Sequence, residues 1–132
     1  MGEPYERLGA RAPLSITSGG VFQLGGVQRS SALLVSAEGV LAWPLPRPAI
    51  DEEALLRFLD AHEGTRGDFV LLGTGAALVF PSPAFRAGID RRNLGLEVMD
   101  TNAACRTYNV LIAEGRMFTA ALLPLASVPV SP

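Results

Sequence analysis

The chain is 132 residues long with a formal net charge of −2; 48% of its residues are apolar and 18% charged. That is the length of one domain, apolar enough to bury a real core and too apolar to be disordered. The slightly acidic balance leaves no electrostatic footprint for nucleic acid, and no apolar run reaches the roughly 18 residues that a membrane-spanning helix needs.

Residues 1–18 read as the loosely held start of a single domain covering 1–132. Glu3 and Glu6 among Arg7 and Arg11 lack the pattern of a secretory or mitochondrial leader, and a lone cysteine fits a reducing, cytoplasmic setting. Gly19-Gly20 and Gly25-Gly26 bracket a short strand, Val21-Phe22-Gln23-Leu24. Ala32 to Ser36, a turn at Ala37-Glu38-Gly39, and Val40 to Trp43 predict a β-hairpin. Pro44, Pro46 and Pro48 cannot continue a central strand and predict a stiff crossover. Asp51 then caps a helix running to about His62. Glu52 and Glu53 sit in its first turn, Ile50 and Leu55 take the staple positions, and Leu55, Leu56, Phe58 and Leu59 supply its buried face.

Phe69-Val70-Leu71-Leu72 is a continuous apolar run, the pattern of a strand covered on both faces, and it leads into a Gly73-Thr74-Gly75 loop. Ser82 and Pro83, an N-cap and a first-turn proline, open a second helix to about Asn93, with Gly88 weakening its middle. Gly95 to Met99 is the next strand. A third helix runs from about Asn102 to a stop at Gly115, with Asp100 and Thr101 suited to its N-cap. Met117 to Leu123 is the last strand, and residues 124–132 form an uncharged, loosely held tail. A β-rich first third followed by alternating β and α favours a mixed sheet with helices on its faces.

The third helix holds the most information. Ala103, Ala104, Cys105, Tyr108, Val110, Leu111 and Ile112 exceed one core-facing stripe and predict burial on most sides. Asn102, Arg106 and Asn109, at i, i+4 and i+7, align on one face as a polar column. Arg106 has two readings. In one it tethers the helix to an acid such as Asp100 or Glu97; in the other it lines a pocket with Thr74, Asn102 and Asn109 and offers planar donors to a carboxylate or phosphate. Tyr108 is a core residue whose hydroxyl is hydrogen-bonded.

Other chemistry is sparse. Gly73-Thr74-Gly75 follows a buried strand, but position 78, where a dinucleotide fingerprint needs glycine, is Leu78. All 11 basic residues are arginine, which removes phosphate-loop and Schiff-base lysine. Turn structure therefore outweighs cofactor binding, although a glycine loop at a strand end is where α/β folds place ligands, leaving room for a small anion. His62, the only histidine, stands in the last turn of a helix without a nucleophile motif beside it. One His, one Cys and scattered acids have no metal-ligand spacing. Cys105 beside Arg106 reads as a small core residue, since neighbours on a helix point about 100° apart. The reading calls for no cofactor and no metal, and it leans away from an enzyme.

Leu72-Gly73-Thr74-Gly75, Met99-Asp100-Thr101, Ala103 through Leu111 and Glu114-Gly115-Arg116, in that order, closely resemble one known family. It is the small α/β domain family of respiratory complex I assembly factor 3, with adipogenesis-associated and many uncharacterised bacterial and archaeal relatives. The similarity runs from about Gly20 to Leu123. The resemblance implies a three-layer α/β domain: a central mixed β-sheet flanked by helices, with an N-terminal β-hairpin. It also implies a non-catalytic assembly role through protein partners, including components of a respiratory complex. Set against the mitochondrial member, the chain is expected to lack a presequence and to carry its own Pro-rich tail. The alternative is a binding domain or enzyme for a small anionic ligand, using the Gly73 to Gly75 loop with Arg106 and backed by Asp100, Thr101, Asn102 and Asn109. The hairpin face and the uncharged tail leave room for self-association without requiring it.

Overall fold

The computed structural model describes residues 6–7, 12–43 and 51–125. The predicted proline crossover at 44–48 and the staple residue Ile50 lie outside them. Among the described residues, nine strands and three helices follow in chain order. Strands β1 (Glu6–Arg7), β5 (Ala32–Val35), β6 (Gly39–Trp43), β7 (Phe69–Thr74), β8 (Gly95–Met99) and β9 (Thr119–Leu123) make a mixed sheet of order β1-β6-β5-β9-β7-β8. Strands β2 (Leu14–Ile16), β3 (Phe22–Leu24) and β4 (Val27–Arg29) make a small antiparallel sheet. The predicted hairpin is β5–β6, and the glycine-bracketed strand is β3. Leu14–Ile16, inside the stretch read as loosely held, pairs residue for residue with β3.

Side chains alternate across each strand of the large sheet, and this alternation divides the core in two. Ala32, Leu34, Val70, Leu72, Ala121 and Leu123 face α1 (Glu52–Ala61) and α2 (Pro83–Arg91), meeting Leu55, Phe58, Leu59, Phe85 and Ile89. Leu33, Val35, Leu71, Ala120 and Leu122 face the other way, toward α3 (Thr101–Ala113) and the small sheet, meeting Tyr108, Leu111, Leu14, Phe22 and Leu24. The result is three layers, as predicted.

The helix ends follow their sequence signals. Asp51 accepts a hydrogen bond from the Ala54 amide at 3.0 Å, and Ser82 from the Phe85 amide at 3.1 Å. The Glu52 carboxylate takes both the amide and the hydroxyl of Ser82, at 2.8 and 2.6 Å, joining the starts of α1 and α2. Arg92 forks onto Asp60 at 2.7 and 2.8 Å and holds that carboxyl below its ordinary pKa. Gly88 has a packing reason for sitting mid-helix: a Cβ there would lie 3.2 Å from the Leu56 side chain of α1.

The third helix corrects one expectation. It is not buried on most sides. Thr101, Ala104, Cys105, Tyr108 and Leu111 are buried, while Asn102, Arg106, Val110 and Ala113 form an exposed stripe. Its inner face consists largely of small side chains, so the sheet approaches closely and one face suffices to anchor it.

Candidate functional site

Strands β7, β8 and β9 are parallel and end together, with Gly73 opposite Met99 and Thr74 opposite Leu123. Helix α3 begins at this end, capped by Asp100, which accepts from the Ala103 amide at 3.0 Å. The ends of parallel strands are where α/β folds commonly place ligands. Here the polar groups bind one another. The Thr101 hydroxyl accepts from the Gly75 amide at 2.7 Å and donates to the Leu123 carbonyl at 2.6 Å. The Thr101 amide donates to the Gly75 carbonyl at 2.9 Å. One fully buried side chain thereby ties α3, β7 and β9 together.

Gly73 and Thr74 belong to β7 itself, so the predicted three-residue loop shrinks to Gly75, whose φ of +95° ends the strand. The glycine at position 73 is required by closeness: a Cβ would stand 3.0 Å from the Ala104 Cβ and 3.1 Å from the Thr101 hydroxyl. The Thr74 hydroxyl donates to the Ala77 carbonyl at 2.7 Å and accepts from the Val79 amide at 3.1 Å, pinning the following loop.

The polar column of α3 divides. Asn109 turns to the small sheet, where its amide oxygen accepts from the Leu14 N–H at 2.9 Å and its nitrogen donates to the Leu14 carbonyl at 2.7 Å. This side chain stands in for a neighbouring strand and clasps the edge of β2. Asn102 and Arg106 are exposed. The structure thus joins Gly73, Thr74, Gly75, Asp100 and Thr101 at the strand ends and leaves Asn102, Arg106 and Asn109 elsewhere on the helix. Replacing Arg106 by alanine is expected to change unfolding free energy by less than about 0.5 kcal/mol. Asn109→Ala, which strips both Leu14 groups of their partner, should cost about 1–2 kcal/mol. Urea denaturation of the two variants side by side checks the difference.

Burial pushes the Cys105 thiol up to about 11, against the opposing pull of the Arg106 charge. A thiol at that value is protonated at neutral pH and makes a core side chain, not a nucleophile. His62 caps α1, its ring stacked on Phe58 at 4.1 Å with Nδ1 2.9 Å from the Phe58 carbonyl. Among the described residues no three His, Cys, Asp or Glu side chains gather to hold a metal, and no helix is long and apolar enough to cross a membrane.

The most unusual surface among the described residues lies outside the motifs that the sequence presents. Leu78, Val79 and Phe80, in the loop between β7 and α2, are 51, 52 and 67% exposed. Three consecutive large apolar side chains open to solvent are the kind of contiguous apolar exposure that contact surfaces carry. The available signal is the unbroken run of Leu78, Val79 and Phe80 before Pro81, with no turn residue within it.

The protein is a three-layer α/β domain whose parallel strand ends are tied together by Thr101, with an apolar loop beside them. Residues 15–123 match the family described as "Protein of unknown function (DUF498/DUF598)", and the chain belongs to this family. It is 33% identical over 106 residues to uncharacterized protein RCAP_rcc01784 of Rhodobacter capsulatus, covering 80% of this chain and 79% of that one. It is also similar to NADH dehydrogenase (ubiquinone) 1 alpha subcomplex assembly factor 3, with 34% identity over 67 residues in Xenopus tropicalis and 39% over 59 in Bos taurus. Those matches cover 51 and 45% of this chain but only 37 and 32% of the assembly factors' own lengths.

Among solved structures, a Bordetella parapertussis protein superposes with a TM-score of 0.75 at 34% identity, covering 87% of this chain and 97% of that one. A Bordetella pertussis protein described as a Mth938-like domain gives 0.77 at 27%, covering 98 and 96%. A Bartonella henselae protein described as an outer membrane protein gives 0.75 at 28%, covering 87 and 96%.

Proposed function

We propose that the chain is a non-catalytic, assembly-type protein that acts through protein contact, with a component of a bacterial respiratory NADH dehydrogenase as its partner on the cytoplasmic side. The observation that carries this reading is the exposed Leu78-Val79-Phe80 loop, held in one shape by the Thr74 hydroxyl. A preformed loop loses little freedom on docking, and each large apolar side chain it buries adds affinity. The similarity to assembly factor 3 supports the choice of partner. The strand-end hydroxyls support the absence of catalysis, since Thr74 and Thr101 are engaged with backbone groups.

Native affinity purification from membranes and cytosol tests the reading. The wild type should recover subunits or assembly intermediates of the respiratory enzyme. Burying a phenylalanine contributes about 1.5–3 kcal/mol, so Phe80→Ser should lower recovery by about ten- to a hundredfold. Its melting temperature should not change, because the residue is 67% exposed. Recovery of no respiratory component, together with normal NADH oxidation in a deletion strain, would sink the proposal.

A further inference from the structure

Strand β8 forms one edge of the six-stranded sheet. The Gly95 amide donates to the Asp68 carbonyl of the neighbouring chain segment. A parallel ladder alternates, so Glu97 and Met99 also turn their backbone groups toward β7, and Leu96 and Val98 turn theirs outward. Four backbone groups therefore face away from the sheet along this edge. Other edges are managed differently. The Asn109 amide clasps β2, Arg29 of β4 is held by Glu6 of β1 at 2.9 Å, and β1 is two residues long.

The side chains on β8 say what fits. Leu96 and Val98 belong to the apolar layer beneath α1 and α2, so alternate apolar residues of an added strand would extend that layer. Glu97, exposed at the centre of the strand, points to the opposite face. An antiparallel second copy that used all four outward groups would be centred on this residue. Two Glu97 carboxylates would then stand directly across from each other, a pairing that like charge disfavours. A strand carrying Arg or Lys at that position would instead meet an opposite charge. The edge is also continuous with the apolar loop, because the Thr74 hydroxyl that holds Val79 lies 3.4 Å from the Met99 carbonyl at the end of β8.

The structure assigns the β8 edge as a site of strand addition for an extended partner segment with alternating apolar residues and a basic residue opposite Glu97. The same carboxylate keeps two copies of this chain from pairing there. The inference rests on the protein-contact reading but names a surface and a partner chemistry that reading leaves open.

The probe is a capped nine-residue peptide of alternating valine and threonine with a central arginine, compared with the same peptide carrying a central glutamate. Amide hydrogen exchange of the full chain reports binding. The arginine peptide should slow exchange at Leu96 and Val98 at least tenfold, and the glutamate peptide should not. Glu97→Arg should reverse the preference. Val98→Pro, which removes an outward N–H, should abolish protection while β7 and β9 amides stay protected. Glu97→Thr should form dimers in sedimentation at concentrations where the wild type is monomeric. Equal protection by both peptides, no reversal in Glu97→Arg, or a wild type as dimeric as Glu97→Thr overturns the inference. If native purification still recovers a partner through Phe80 in that event, the assembly reading survives; loss of both removes both.

Discussion

Thr101→Val is expected to lower unfolding free energy by about 2–4 kcal/mol, because it leaves the buried Gly75 N–H and the Leu123 carbonyl without their partner. Valine matches threonine in shape, so packing stays nearly constant and the loss reports the two hydrogen bonds. The hydroxyl is fully buried, so water cannot replace it. Thr101→Ser keeps the hydroxyl and should recover more than half of the loss. Urea denaturation should show a lower midpoint with an unchanged slope for Thr101→Val. A midpoint within experimental error of the wild type would mean that the Thr101 hydroxyl adds nothing measurable to what the Thr101 amide and packing already hold.

Gly67→Ala should be more damaging still, at more than about 4 kcal/mol, in the range reached only by core disruption or backbone strain. Two effects combine. Gly67 has a φ of +77°, where a Cβ alone costs about 1–2 kcal/mol. A Cβ there would also fall onto the Met117 carbonyl, which accepts the Asp68 amide at 3.2 Å and sets the entry of both β7 and β9. Backbone on one side and a strand start on the other leave nothing that can shift cheaply. Circular dichroism during thermal unfolding provides the check: a folded variant with a melting temperature near that of the wild type would contradict the assignment.

Much of this architecture is legible in the sequence. The Asp51, Ser82 and Asp100 caps, the Gly115 stop with its φ of +72°, and the β5–β6 hairpin each carry their own local chemistry in the chain. Strands β2 and β4 do not, because three residues hold too little alternation to stand out from a loop. Gly73 and Thr74 read as a loop because glycine punctuates turns; their place inside β7 comes from how closely Ala104 and Thr101 approach, a tertiary fact. The polar column of α3 was visible, but its division was not: Asn109 meets a backbone 95 positions away. Leu78 to Phe80 looks in sequence like any apolar run, and only the fold decides that such a run is left outside.

The place of β9 has a consequence for how the chain comes to be folded. It is the last strand in chain order, yet it lies in the middle of the sheet, between β5 and β7. Until residue 123 is available, the hairpin made early and the β7–α2–β8–α3 unit made later share no strand to join them. The large sheet therefore closes as one late event, with Leu33 meeting Leu122 across most of the chain's length. Long-range closure of this kind is slow, and during synthesis it waits on residues 119–123 to leave the ribosome. Until then β5 and β7 lack the neighbour that joins them, so closure of the sheet depends on β9 more than on any local element.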